Sequence, residues 1–257
     1  MAEDMRTVES ADGCVIAWYP GSGVGPRLLC VGGAFSGRTL WDGLIACLPG
    51  VPVHVVERRG HGLSADRPGS GPADEVADVH AVLREIGEPV VLVGHSSGAL
   101  LALRAAVDAP LVRGVVAYEP PPPPPIAGVE DRLRALLAAG DRAGAVTRFL
   151  VDAVGMPERL ARARLTAPGA ESDLAMAHTL VHDVQLAEES VPAEPSNPVL
   201  LLLGDQSPPR MADHLHAVAQ RLPHAVVRSL PGQAHFALTA APELIAPHVL
   251  EALTTRL

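Results

Sequence analysis

The segment best suited to chemistry is Gly94-His95-Ser96-Ser97-Gly98, which ends an apolar run and precedes an Ala/Leu-rich stretch. A serine at the centre of a tight strand-to-helix turn needs small flanking residues, and Gly94 and Gly98 supply them. The first N–H groups of the following helix have no partner inside that helix, so the Ser97 N–H can bind a developing oxyanion. The segment therefore predicts a nucleophile elbow with Ser96 as the nucleophile.

A nucleophilic serine needs a base, and His235 is the best candidate among the 11 histidines. It lies in the loop between the last predicted strand and the last predicted helix, at the same sheet edge as the elbow. We expect His95 to pack away from the elbow and His61 to be structural in its glycine-rich loop. His178 and His182 are spaced four apart, as helical metal ligands can be, but no third ligand accompanies them. The pattern predicts His235 as the base and no metal site.

The elements that must position these residues alternate between strand-like and helix-like patterns, which is typical of a mostly parallel sheet covered on both faces. We predict an opening hairpin at residues 5–9 and 14–19. Further strands are predicted at residues 27–32, 51–57, 90–94, 112–118, 199–203 and 225–230. Helices are predicted at residues 40–48, 73–86, 99–107, 211–221 and 242–257.

The alternation stops between residues 119 and 198, where short helical segments rich in Ala, Leu and Arg take over. We predict a core in two parts, residues 1–119 and 197–257, with a helical cap inserted at 120–196. The cap opens with six consecutive prolines at 120–125, which form an extended polyproline II segment. Such a stiff segment would hold the cap over the catalytic edge; recognition by a proline-binding partner is the alternative.

Composition limits the class of partner. The 257 residues, 48% of them hydrophobic, suffice for one α/β domain. A formal net charge of −9 disfavours nucleic acid and anionic membranes. All 20 basic residues are Arg, and without Lys the chain cannot form a Schiff base. We expect a small-molecule substrate and no cofactor, and nothing in the sequence decides the oligomeric state.

The sequence also bears on the cellular compartment. The first residues lack the basic start and apolar run of a signal peptide, and no apolar stretch is long enough to span a bilayer. The three cysteines are odd in number and show no C-x-x-C spacing, so we expect reduced thiols. These features predict a cytoplasmic protein.

Four segments, in this order, resemble those of the α/β-hydrolase superfamily: Val31-Gly32-Gly33, Arg59-Gly60-His61-Gly62-Leu63-Ser64, Gly94-His95-Ser96-Ser97-Gly98 and Gly232-Gln233-Ala234-His235. The resemblance covers nearly the whole chain. It implies the α/β-hydrolase fold, a mostly parallel central sheet flanked by helices with a small helical cap. It also implies that Gly33 provides the second oxyanion N–H. Val31 replaces the family's His, which leaves the hole intact because the donors are backbone groups.

The resemblance leaves two candidates for the acid that orients the base. The family commonly has an Asp in a Gly-x-x-Asp pattern after the next-to-last strand, but Ser207 occupies that position here and Asp205 lies two residues earlier. Some relatives, including certain haloalkane dehalogenases, instead use a Glu directly after the strand that follows the elbow helix, and Glu119 resembles that arrangement. We favour Glu119, with Asp205 as the alternative.

The resemblance implies a serine hydrolase that cleaves a carboxylic ester or thioester through a Ser-His-acid triad and an acyl-enzyme. Serine rather than aspartate at the elbow disfavours haloalkane dehalogenase and epoxide hydrolase chemistry. A small to medium hydrophobic substrate is suggested by the apolar cap residues Leu133, Leu136, Phe149, Met156, Met176 and Leu180. Two alternatives stay open: a biosynthetic lyase or cyclase on the same fold, and a non-catalytic ligand-binding protein.

Overall fold

The computed structural model describes residues 5–189, 195, 197–222 and 224–254. Its strands are β1 (Arg6–Glu9), β2 (Val15–Tyr19), β3 (Arg27–Val31), β4 (Val53–Val56), β5 (Val90–His95), β6 (Val112–Tyr118), β7 (Val199–Gly204) and β8 (Ala225–Leu230). They form one sheet in the order β1-β2-β4-β3-β5-β6-β7-β8. The predicted hairpin is confirmed as β1 and β2, and β2 also pairs antiparallel with β4. All pairs from β4 to β8 are parallel, which confirms the predicted fold class.

The helices are α1 (Asp42–Ala46), α2 (Pro72–Ile86), α3 (Ser97–Ala105), α4 (Val129–Ala138), α5 (Arg142–Arg148), α6 (Glu158–Arg164), α7 (Ala170–Ala175), α8 (Leu180–Glu188), α9 (Pro209–Arg221), α10 (Ala237–Ala240) and α11 (Pro242–Thr254). The predicted helix at 40–48 is a 3₁₀ turn, Arg38–Trp41, followed by α1. The single turn of α10 was not predicted because it is too short to show a period. Across the described ranges no helix is long and apolar enough to cross a bilayer.

Each face of the sheet is covered by an apolar core, because strands buried on both sides carry apolar residues at successive positions. On one face, Leu92 of β5 packs with Val79 of α2 and Leu101 of α3. On the other face, Val93 of β5 packs with α1 and α11. Between the two cores the strands run parallel, so their carboxyl ends lie at one common edge of the sheet.

Helices α4 to α8 lie between β6 and β7 and are called the cap helices below. They share an apolar cluster of their own, which includes Leu133, Phe149 and Leu180. Ala34 and Phe35, in the loop after β3, pack against that cluster and join the cap helices to the core. The boundaries 119/120 and 196/197 stay predictions, and residues 190–194 and 196 lie outside the described part of the chain.

The polyproline stretch 120–125 contains neither helix nor strand. It is tied to the core by Arg210, at the start of α9, which donates a hydrogen bond to the carbonyl oxygen of Pro123. A proline-rich segment has few conformations to lose on folding, so a contact of this kind costs little conformational entropy.

The packing of α3 on the sheet depends on a glycine. A Cβ atom on Gly98 would lie 2.3 Å from the carbonyl oxygen of Val31 and 2.4 Å from that of Gly32. These obstacles are backbone atoms at the end of β3 and directly after it, so they cannot rotate away. The close approach of helix and strand therefore requires a residue without a side chain at position 98.

We predict that Gly98→Ala lowers the free energy of unfolding by about 1–3 kcal/mol, because the added methyl overpacks a backbone contact. Urea denaturation measures this change. Gly37→Ala is the matched control, since a Cβ there meets only one atom, Glu57 Oε1 at 3.8 Å, and its φ of −119° suits alanine. Equal losses in the two variants would contradict the steric explanation.

Candidate active site

The residues of the site follow four neighbouring parallel strands. Ser96 follows β5, Glu119 follows β6, Ser207 lies three residues after β7, and His235 lies in the loop after β8. Carboxyl ends of parallel strands meet at one edge of a sheet, where the loops of an α/β fold carry its ligand sites. The topology therefore brings residues 96, 119, 207 and 235 together although up to 139 positions separate them in sequence.

Ser96 has an unusual backbone conformation, with φ +57° and ψ −130°. A non-glycine residue in a sparsely populated region costs about 1–3 kcal/mol and persists only where the surroundings hold it. Here its N–H donates to the carbonyl oxygen of Tyr118 at 2.9 Å, and its own carbonyl oxygen accepts from the Ala99 N–H at 2.8 Å. The turn is thus fixed on both sides, between the end of β5 and the start of α3.

The two predicted oxyanion donors flank this turn. Ser97 is the first residue of α3, where backbone N–H groups have no partner within the helix. On the other side, a Cβ atom on Gly33 would lie 2.7 Å from Ser96 Cβ and 2.9 Å from the carbonyl oxygen of His95. Position 33 must therefore be glycine for its backbone to approach the serine this closely.

The structure pairs His235 with Glu119. His235 Nδ1 lies 2.8 Å from Glu119 Oε2, and the carboxyl side chain is completely buried. Asp205, the alternative acid, is exposed; its Oδ1 accepts hydrogen bonds from the Gly232 N–H at 2.8 Å and from Gln206 Nε2 at 3.0 Å. Asp205 therefore shapes the start of the histidine loop, whereas Glu119 contacts the imidazole itself.

Glu119 has donors on both of its oxygens. Oε1 accepts from the Gly204 N–H at 2.8 Å and from Ser207 Oγ at 2.5 Å. Burial by itself would raise the pKa of Glu119, but the hydrogen bonds from His235, Ser207 and Gly204 outweigh burial and hold its pKa below the ordinary value. The carboxylate is consequently ionised at neutral pH and faces His235.

Ser207 is a site residue that the sequence did not reveal. It stands where the family commonly has its acid, and its hydroxyl donates to the carboxylate that comes from the neighbouring strand. In this structure the carboxylate therefore comes from the end of β6, and the hydroxyl of Ser207, after β7, supports it.

The loop that carries His235 is anchored by two more residues. His95 Nε2 donates to the carbonyl oxygen of His235 at 2.9 Å, and the two rings lie 4.7 Å apart. Burial, with a smaller contribution from His235, lowers the pKa of His95 to about 3, so this imidazole is neutral. Tyr118 donates its hydroxyl to the carbonyl oxygen of Ala234. His95 thus packs beside His235 and also hydrogen-bonds the loop that carries it.

Ser96 and His235 are not hydrogen-bonded to each other. Within the described ranges Ser96 Oγ has no hydrogen-bond partner, and both side chains are partly exposed. Such contacts commonly tighten only when a substrate excludes water. The part of the chain that the structure describes also contains no group of three metal-ligating side chains.

A family model described as the alpha/beta hydrolase family matches residues 28–248. The chain belongs to this family. Its likeness to solved structures extends over its length: an alpha/beta hydrolase from Sphaerobacter thermophilus is 35% identical, with a TM-score of 0.87 over 97% of this chain and 100% of that one. A search of curated proteins finds no match.

Two further solved structures share the fold. A hydrolase from Pseudomonas aeruginosa is 22% identical, with a TM-score of 0.79, covering 99% of this chain and 100% of that one. An esterase from Thermogutta terrifontis, with malate bound, is 20% identical, with a TM-score of 0.75, covering 98% and 100%. At these identities the likeness extends to the fold alone.

We predict a pH-dependent effect of Glu119→Gln on stability. At pH 7 the variant should lose about 1–3 kcal/mol, because the ionised carboxylate accepts three hydrogen bonds only in the folded state. The folded pKa lies below the ordinary 4.5, so the stabilisation is complete above pH 4.5 and is lost as the pH falls further. Urea denaturation from pH 7 to pH 3 should show wild type and variant converging. A difference in unfolding free energy that stays constant with pH would refute an ionised, stabilising Glu119. Asp205→Asn, at an exposed carboxylate, is the control.

Proposed function

We propose that this alpha/beta hydrolase cleaves a carboxylic ester or thioester of a small to medium hydrophobic substrate. Ser96 is the nucleophile, His235 the base and Glu119 the acid, with Gly33 and Ser97 as oxyanion donors. The observation that carries the proposal is the 2.8 Å contact between His235 Nδ1 and the fully buried carboxylate of Glu119. The loop that carries His235 lies at the same sheet edge as the strained turn at Ser96. Function is argued from this site, because the fold hosts many reactions.

The reaction proceeds in two halves. His235 Nε2 takes the proton from Ser96 Oγ, the oxygen attacks the acyl carbon, and the N–H groups of Gly33 and Ser97 bind the resulting oxyanion. His235 then gives its proton to the leaving alcohol or thiol, which leaves an acyl group on Ser96. A water molecule, deprotonated by His235, attacks the acyl-enzyme and releases the carboxylic acid, and the proton returns to Ser96.

Glu119 is assigned the role of orienting acid. Its bond to Nδ1 fixes the tautomer in which Nε2 is free to take a proton, and its charge stabilises the imidazolium that forms. Ser207 and the Gly204 N–H occupy its other oxygen and prevent the carboxylate from rotating. Asp205 lacks these contacts and is assigned no catalytic role.

The apolar cap helices support a hydrophobic acyl or alcohol group as the substrate. Phe35, two residues beyond Gly33, packs edge-on against Phe149 at 5.7 Å between ring centroids. Leu133 and Leu180 are fully buried in the cap cluster, so they pack the cap rather than line a pocket. Half-buried Leu136 and Met156 remain the better lining candidates.

We predict that a fluorophosphonate adds once to the wild-type protein and not to Ser96→Ala. An activated serine attacks phosphorus, whereas ordinary serines do not react. Intact mass spectrometry measures the adduct, and Ser229→Ala, an exposed serine on β8, is the control that keeps it. A folded wild type that takes no adduct would refute the activated serine and favour a lyase, a cyclase or a ligand-binding protein on this fold.

We predict that Glu119→Gln lowers kcat on p-nitrophenyl esters by about 10²–10⁴-fold, because a neutral amide neither fixes the tautomer nor stabilises the imidazolium. Asp205→Asn should retain kcat within about threefold, since its Oδ1 can still accept from the Gly232 N–H. Steady-state kinetics on ester and thioester panels make the comparison. The opposite ranking would assign the acid to Asp205.

A further inference from the structure

A charged residue of the cap helices reaches the residue that follows the nucleophile. Asp183, on α8, accepts from Ser97 Oγ at 2.6 Å and from Arg58 Nη1 at 2.7 Å, both on Oδ1. Arg58 Nη1 also lies 3.2 Å from Ser97 Oγ. All three residues are at most 3% exposed. This cluster directly ties α8 to the first residue of α3.

Arg58 is in turn held by α2. Its Nε and Nη2 donate to Oε1 and Oε2 of Glu75, each at 2.8 Å, which is the bidentate geometry that orients a guanidinium most firmly. Burial alone would raise the pKa of Asp183, but Arg58, with smaller contributions from His61 and the Ser97 hydroxyl, holds its pKa below the ordinary value. Two buried carboxylates thus surround one guanidinium, and the cluster carries a net negative charge.

The negative charge of this cluster would by itself disfavour the reaction. A carboxylate that is hydrogen-bonded to the Ser97 side chain opposes the negative charge that develops on a nearby oxyanion. If the field of Asp183 were its whole effect, removing the carboxylate would speed the reaction. Beyond the field of Asp183, the contact that matters is therefore its hydrogen bond with Ser97, which restricts where the Ser97 side chain can lie.

We propose that Asp183 is a positioning residue for the oxyanion hole. By accepting from Ser97 Oγ it fixes the side chain, and with it the peptide whose N–H binds the oxyanion. The hole is then fully formed only when α8 is docked against α2 and α3. This inference rests on the proposed function, because it matters only if Ser96 forms an acyl-enzyme.

The hydrogen bond between Ser97 and Asp183 matters because oxyanion donors must be placed precisely. Oxyanion donors act at hydrogen-bond distance from a charge that exists only in the transition state, and a misplacement of about 1 Å can cost a hundredfold in rate. Such a shift barely changes the affinity for the substrate, because the ground-state carbonyl depends little on the hole. Loss of the link should therefore appear in kcat rather than in KM.

The chain provides a matched control beside the cluster. Arg59, the next residue after Arg58, donates to both oxygens of Asp78 on α2, at 2.8 and 2.7 Å, and both residues are buried. Truncating Asp78 leaves Arg59 paired with Asp12, just as truncating Asp183 leaves Arg58 paired with Glu75. Both truncations remove one carboxylate from a buried guanidinium, but the hydrogen bonds of Asp78 do not reach the elbow.

The experiment compares Ser97→Ala, Asp183→Ala, Asp183→Asn, the double variant Ser97→Ala/Asp183→Ala, and Asp78→Ala. For each we measure Tm, the rate of fluorophosphonate labelling, and kcat and KM on p-nitrophenyl butyrate.

Ser97→Ala and Asp183→Ala should each lower kcat about ten- to a hundredfold, with KM within about twofold. The double variant should be no slower than the slower single variant, because the two substitutions break the same hydrogen bond. Asp183→Asn, which keeps an acceptor oxygen, should recover part of the loss. Asp78→Ala should lower Tm while kcat stays at the wild-type value.

Unchanged or faster turnover in Ser97→Ala would overturn the proposal, as would additive losses in the double variant. If Asp183→Ala does not fold, Ser97→Ala decides alone, because it removes one hydroxyl and leaves the Arg58–Asp183 ion pair in place. A wild type that resists fluorophosphonate labelling would defeat the proposed function and this inference together. Normal labelling in wild type and in Ser97→Ala alike would defeat the inference only.

Discussion

The strained backbone at Ser96 is the constraint on which the rest of the structure depends. A serine at φ +57° is held there by the Tyr118 carbonyl oxygen on one side and by the first turn of α3 on the other. That turn can approach the sheet only because position 98 lacks a side chain. The parallel sheet, α3 and the loop after β3 must therefore all be in place before the serine has its conformation, so the site is a property of the folded core.

A second constraint is the buried charge of Glu119. A carboxylate without water must be compensated, and here the donors come from three different segments: the end of β7, the loop after it and the loop after β8. The same bonds that satisfy the charge also orient the imidazole. Stability and the geometry of the site thus share one set of interactions, and neither can be changed without the other.

Charge also joins the cap helices to the core. The apolar cluster of the cap helices gives stabilisation that does not depend on direction. The ion pair between Arg58 and Asp183 adds a directional contact at the point where α8 meets the elbow. Breaking a buried pair of this kind is costly because it leaves a charge without a partner.

The sequence by itself determined the alternating architecture, the opening hairpin, the serine turn and the histidine loop, because these depend on local patterns: apolar periods, glycine spacing and loop position. It ranked Glu119 above Asp205 only through resemblance to a family. The pairing of Glu119 with His235, the support from Ser207, the anchoring by His95 and the Arg58–Asp183 link were decided by the tertiary structure. Those contacts join residues up to 140 positions apart, and strand order, which no local pattern specifies, determines which strand ends become neighbours.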